Sequence, residues 1–192
     1  MSNQSQNSLD YTNQSTHHET EIEHISPKNK EEEKCDIKKV IEQISYILIT
    51  KNCENKFSKL SKKNIKNDPF QTFSSKFIPH ISIGDYLNRI AGLSKVEIPT
   101  LIMAFIYLER FCKKTKIVLN EYNTHRLVIA SLISSIKFNE DQKYNHEYYS
   151  LIAGATKREL GELEREFLFG LDFNMFIDEN TYEMYAKKLC HY

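Results

Sequence analysis

Side chains capable of chemistry are thinly spread along this chain, and the densest set of them closes an apolar run. In SLISSIKFNED, residues 131–141, a nearly unbroken apolar stretch ends in Lys137, then Phe138, then the polar and acidic Asn139, Glu140 and Asp141. An ammonium group at the end of so apolar a stretch either pairs within the chain, worth roughly 0–1 kcal/mol if exposed, or meets an outside partner. Other arrangements are weaker. Cys112, His125 and Asp141 can be drawn as nucleophile, base and orienter, but Cys112 sits among apolar residues with only Lys113 and Lys114 to favour a thiolate. His125-Arg126-Leu127 has the look of a kinase catalytic loop in which the required aspartate is replaced by Leu127. The five glycines make no phosphate-cradling pattern. His17, His18 and His146 have no third ligand near in sequence, so neither a metal nor a small-molecule cofactor is expected. The chain reads as a binding protein, not an enzyme.

The bulk composition narrows the class of partner. At 192 residues, with 40% hydrophobic and 11% aromatic side chains, the chain can fill one core and carry tails. Its 26 basic and 26 acidic side chains cancel, so it lacks the positive field that neutralises a run of phosphates, and nucleic acid is not the expected partner. Cys35, Cys53, Cys112 and Cys190 form no CxxC pair and are expected as free thiols. No secretory leader and no membrane span is read in the chain, so the expected location is intracellular, in the nucleus and/or cytoplasm.

The elements that must position these residues are helices. Residues 1–34 are Ser, Asn, Gln, Thr and Glu with almost nothing apolar, and are expected to form a disordered polar tail. Ile37, Val40, Ile41, Ile44, Ile47 and Leu48 recur at helical spacing and predict a first helix ending near Asn52. Residues 35–80 then comprise this helix and a connector. Lys51, Lys56, Lys59, Lys62, Lys63 and Lys66 make the connector basic, either a nuclear-import or docking patch or a solvated run, while Phe57, Phe70, Phe73 and Phe77 are expected to pin it to the core. Ser82 with Asp85 caps a helix running to Gly92. Pro99 lies in the first turn of the next, about 97–114. The one after it starts near Asn120. Leu101–Leu108 and Leu127–Ile136 are apolar all round and should be the two most buried stretches. A short helix covers His146–Ile152. Thr156 with Glu159 caps the next, and residues 172–192 hold a C-terminal segment and a last helix, about 180–189.

The segments SIGDYLNRI, AFIYLERF, THRLVIASLISSIKF and ELEREFLFGLDF, in that order, resemble the cyclin box of the P/U-type cyclins, the group of the fungal phosphate-signalling cyclin and the plant U-type cyclins. The resemblance implies an all-α fold with a single five-helix box at residues 81–171, an extra N-terminal helix and a C-terminal helix. It implies a regulatory subunit that binds and activates a cyclin-dependent kinase. By motif position, Lys137 and Glu164 would face the kinase's mobile helix, Phe138 and Leu168 would add apolar contact, and Asp141 would meet an arginine beside the activation loop. Arg89 would pair with an acidic residue to hold helices together, with Glu109 as its candidate mate. The other cyclin-like reading is a scaffold holding transcription or nucleic-acid partners without a kinase; zero net charge and a single box count against it.

Overall fold

The computed structural model describes residues 35–56, 70–141 and 144–190. Among them are seven α-helices and no strand, as the apolar periodicity predicts. The polar tail at 1–34 and Lys59, Lys62, Lys63, Lys66 and Phe57 of the connector lie outside the described residues. Helix α1, Ile37–Lys56, starts at Asp36, whose carboxylate accepts from the Lys38 amide, and buries Val40, Ile41, Ile44 and Leu48 along one side. It runs a turn past the expected end at Asn52. That turn is held by tertiary bonds, Asn52 accepting from the Thr124 hydroxyl at 2.9 Å and Asn55 donating to the Leu119 carbonyl at 2.9 Å.

Helices α2 (Ile83–Ser94), α3 (Ile98–Thr115), α4 (Thr124–Asn139), α5 (His146–Ala153) and α6 (Lys157–Gly170) follow. The caps read from sequence hold: Ser82 accepts from the Asp85 amide, Pro lies in the first turn of α3, and Thr156 accepts from the Glu159 amide. Helix α4 begins four residues later than expected. Asn120 and Asn123 use their side chains on nearby backbone, so residues 120–123 close a turn before the helix can start. Helices α3 and α4 form the most extensive pair, and every residue from Leu127 to Ile136 is buried. Full-circumference apolar helices lose least by occupying the centre, and these two do. Phe73 is fully buried and Phe70 meets the Phe111 ring at 5.3 Å, so these two do pin the connector; Phe77, at 79% exposed, does not.

Helix α7, Glu179–Cys190, packs on α1 and α3. Here the thiol expectation fails. Cys35 and Cys190 are joined in a disulfide across 155 residues, with Cα atoms 5.1 Å apart, while Cys53 and Cys112 are free. Sequence spacing carries no trace of a pair brought together only when α7 folds back on the start of α1.

Candidate functional site

Lys137 lies in the last turn of α4 and Glu164 in the middle of α6, and the fold brings them together: the lysine Nζ donates to Glu164 Oε2 at 2.6 Å. Both stems stand on helices whose opposite sides are core, Ser134–Ile136 on α4 and Leu163 and Phe167 on α6. The heads are therefore held with little freedom left to lose, Lys137 being 35% exposed and Glu164 15%. Phe138, next to Lys137, is 61% exposed. Leu168 is one turn on from Glu164 and half-buried against the core, and Asp141 is exposed just past the end of α4. Lys137, Glu164, Phe138, Leu168 and Asp141 thus all lie at the C-terminal end of α4 or on α6, where a charged pair adjoins an exposed ring.

The rest of the polar end of α4 is spoken for inside the molecule. Asn139 donates to the Ser135 carbonyl at 2.8 Å, and the Ser135 hydroxyl donates in turn to the Thr100 carbonyl at 2.8 Å. Glu140 accepts from the Glu97 amide at 3.1 Å and so caps the open N-terminus of α3. These bonds fix the direction in which Lys137 and Phe138 leave the helix.

The expected Arg89–Glu109 ion pair does not form. Arg89 is exposed on α2 and reaches the Leu151 carbonyl of α5 at 3.5 Å. Glu109 faces the other way, toward α1 and α7, where Lys51 donates to one carboxylate oxygen and the Tyr185 hydroxyl donates to the other at 2.6 Å. Burial by itself would raise the Glu109 pKa, but the bonds from Lys51 and Tyr185 outweigh it and hold the carboxyl below its ordinary value. Burial pushes the Tyr185 phenol up, and its bond to Glu109 adds to the shift. These groups border a cleft of about 640 Å³ with Asn55, Arg110 and Lys113. Lys51 was legible only as part of a basic connector; its partner lies 58 residues away.

A second ion pair was also missed. Arg126, in the first turn of α4, donates to Glu159 of α6 and to the Thr72 carbonyl at 2.7 Å, while the Thr72 hydroxyl donates to Glu166 at 2.7 Å. It ties the other end of the α4–α6 pair, through the 3-10 turn Gln71–Phe73. The signal was present in Arg126 beginning an apolar helix and Glu159 capping another, but nothing local relates the two.

Burial pushes the Cys112 thiol up to about 12, so it is not poised as a thiolate. His125 packs on Tyr86, with ring centroids 5.2 Å apart, and its Nε2 lies 3.0 Å from the Ile81 carbonyl. His146 Nε2 lies 3.0 Å from the Lys157 carbonyl. Among the described residues no group of three or more His, Cys, Asp or Glu is placed to hold a metal ion, and no helix is long and apolar enough to cross a membrane.

The cyclin family model matches residues 6–175 of the chain. The chain is similar to Cyclin-U4-3 of Arabidopsis thaliana, 39% identical over 116 residues, which is 60% of this chain and 53% of the relative. It is also similar to Cyclin-U3-1 of Arabidopsis thaliana, 36% identical over 64% of this chain and 55% of the relative, and to Cyclin-P4-1 of Oryza sativa subsp. japonica, 34% identical over 58% of this chain and 53% of the relative. The chain therefore spans about half the length of the curated relatives it matches.

Proposed function

Because the chain belongs to the cyclin family and is of the P/U type, we propose that it is a non-catalytic regulatory subunit that docks α4 and α6 on a cyclin-dependent protein kinase and activates it. The box is the five-helix unit at 81–171. In this reading the subunit holds the kinase's mobile helix in its productive position, and the chemistry belongs to the kinase. The protein works inside the cell, in the nucleus and/or cytoplasm, where such a kinase is found.

The observation that carries the reading is the Lys137–Glu164 pair at 2.6 Å beside an exposed Phe138. An exposed ring next to rigid charged heads gains a monomer little, and it is what the centre and rim of a partner-binding surface require. Lys137 and Glu164 offer the mobile helix one donor head and one acceptor head, Phe138 and Leu168 supply the apolar contact, and Asp141 at the rim meets a basic group near the activation loop.

The test begins with affinity purification of the tagged chain and mass spectrometry to identify the kinase, followed by calorimetry and a phosphorylation assay with that kinase. Lys137→Ala combined with Glu164→Ala is expected to cost about 2–5 kcal/mol of affinity, the range for interfacial charges that become buried, while the melting temperature changes much less. A double variant that binds and activates at wild-type strength would remove these two residues from the interface.

A further inference from the structure

We infer that Cys35 and Cys190 form a reversible thiol–disulfide site, a clasp that fastens α7 against α1 when oxidised and releases it to a dithiol reductant. Cys35 lies two residues ahead of α1 and Cys190 is the last residue of α7, so the bond joins the two ends of the described helical body. It is independent of the kinase reading, which uses α4 and α6.

The packing of α7 makes the bond consequential. Of its twelve residues only Leu189 and Cys190 are buried, and Tyr182, Tyr185 and Ala186 pack partly on the core. The segment just before it is pinned independently: the Tyr107 hydroxyl donates to the Met175 carbonyl at 2.8 Å, and Arg110 donates to the carbonyls of Asn174 at 2.7 Å and Phe176 at 3.0 Å. Those pins stop short of the helix. Opening the disulfide thus leaves α7 tethered at 174–176 and held by Leu189, by the partial packing of Tyr182, Tyr185 and Ala186 and by the Tyr185 bond to Glu109, a small set of contacts that can let go locally without global unfolding. What α7 brings to the body goes with it: the Tyr185 bond to Glu109, and the Thr181 and Tyr185 wall of the 640 Å³ cleft.

The access is asymmetric. Cys190 is 6% exposed, whereas Cys35 is half-buried, so we place the incoming thiolate on Cys35, the more exposed residue of the pair. Its attack forms a mixed disulfide with Cys35 and expels Cys190 as a thiolate, which takes up a proton. The reductant's second thiol then displaces Cys35. The protein has gained two electrons and two protons, and the reductant leaves as its own disulfide. Closure runs through a hydroperoxide: one cysteine thiolate is oxidised to the sulfenic acid as the peroxide O–O bond breaks and leaves an alcohol or water, and the other thiol displaces water to form the S–S bond. Cys112, buried and with its thiol raised to about 12, does not compete, and exposed Cys53 serves as a control.

The experiment uses the full chain, treated with hydrogen peroxide or dithiothreitol under native conditions, then alkylated in denaturant and weighed, with amide exchange and melting followed in parallel. After peroxide two thiols should be alkylated and after dithiothreitol all four. Reduction should lower the melting temperature by roughly 5–15 °C, as expected for opening a long cross-linked loop in a body of this size. Exchange across 179–190 should rise by about tenfold or more, with α3 and α4 unaffected. In melting and amide exchange, Cys35→Ser with Cys190→Ser should behave as the reduced form in both conditions, and Cys53→Ser with Cys112→Ser as the wild type. Four alkylated thiols after peroxide would show that no clasp forms. Two thiols that persist through native dithiothreitol would make the bond a fixed staple, and unchanged exchange in α7 on reduction would show that it holds nothing; either result overturns the proposal. The peroxide and dithiothreitol cycle on the wild type decides between these outcomes even if the serine variant fails to fold.

Discussion

Glu109 holds a donor from each of two flanking helices, Lys51 of α1 and Tyr185 of α7, at a largely buried position on α3. Glu109→Ala leaves both donors without their acceptor and should cost about 1–3 kcal/mol in urea unfolding. Arg89, which reaches a carbonyl at the long distance of 3.5 Å, should tolerate Ala within about 0.5 kcal/mol. Equal costs at the two positions would restore the pairing that the structure rejects. His125 makes a different prediction. Burial lowers its pKa below the ordinary 6.5, although the bond to the Ile81 carbonyl opposes the shift, and its buried Nδ1 has no hydrogen-bond partner among the described residues. As pH falls through the ordinary histidine value the unfolded chain protonates first, so the unfolded state binds more protons and stability declines toward the lowered folded value. Urea titrations between pH 7 and 5 should show that decline in the wild type and a flatter profile in His125→Gln.

At the scale of elements, the α3–α6 contact depends on a missing side chain. Gly170 ends α6 over the Phe111 ring of α3, and a Cβ built there would lie 2.2 Å from a ring carbon. The ring cannot step aside, because it is fully buried and stacks on Phe167 with centroids 4.8 Å apart. Gly170→Ala should therefore destabilise by about 1–3 kcal/mol despite the better helix propensity of Ala. Phe111→Leu makes room, so the two substitutions together should cost less than the sum of each alone, and additive costs would mean that the ring is not what blocks the methyl. The same packing sets the angle at which α6 presents Glu164 and Leu168.

For the whole molecule, charge balance predicts what it avoids. With 26 basic and 26 acidic side chains there is no net field to drive counterion release from a polyanion, and several of the basic positions described are engaged with carboxylates: Lys51 with Glu109, Lys56 with Glu121 at 2.6 Å, Arg126 with Glu159. The chain should pass through a phosphocellulose column at physiological salt, and retention beyond roughly 0.2 M salt would favour a nucleic-acid scaffold over a kinase subunit.

Helix content, order and caps were legible in the chain because they rest on contacts within a few residues: apolar periodicity for α1 and α6, Ser82 and Thr156 as caps, and all-round apolar α3 and α4 placed at the centre. Lys137 was conspicuous for the same local reason, a charge closing an apolar run. Its hydrogen bond to Glu164, 27 residues on, is a product of how α4 lies against α6, as are the Lys51–Glu109–Tyr185 cluster and the Arg126–Glu159 tie. Side-chain pairing across helices depends on the rotation of each helix about its axis, which core packing sets and which no single segment encodes. Glu109 therefore turned toward α1 and α7 instead of Arg89, and Cys35 met Cys190 across the whole length of the helical body. Apolar faces could be read one helix at a time, whereas the polar heads that those faces bring together were settled by packing between helices far apart in the chain.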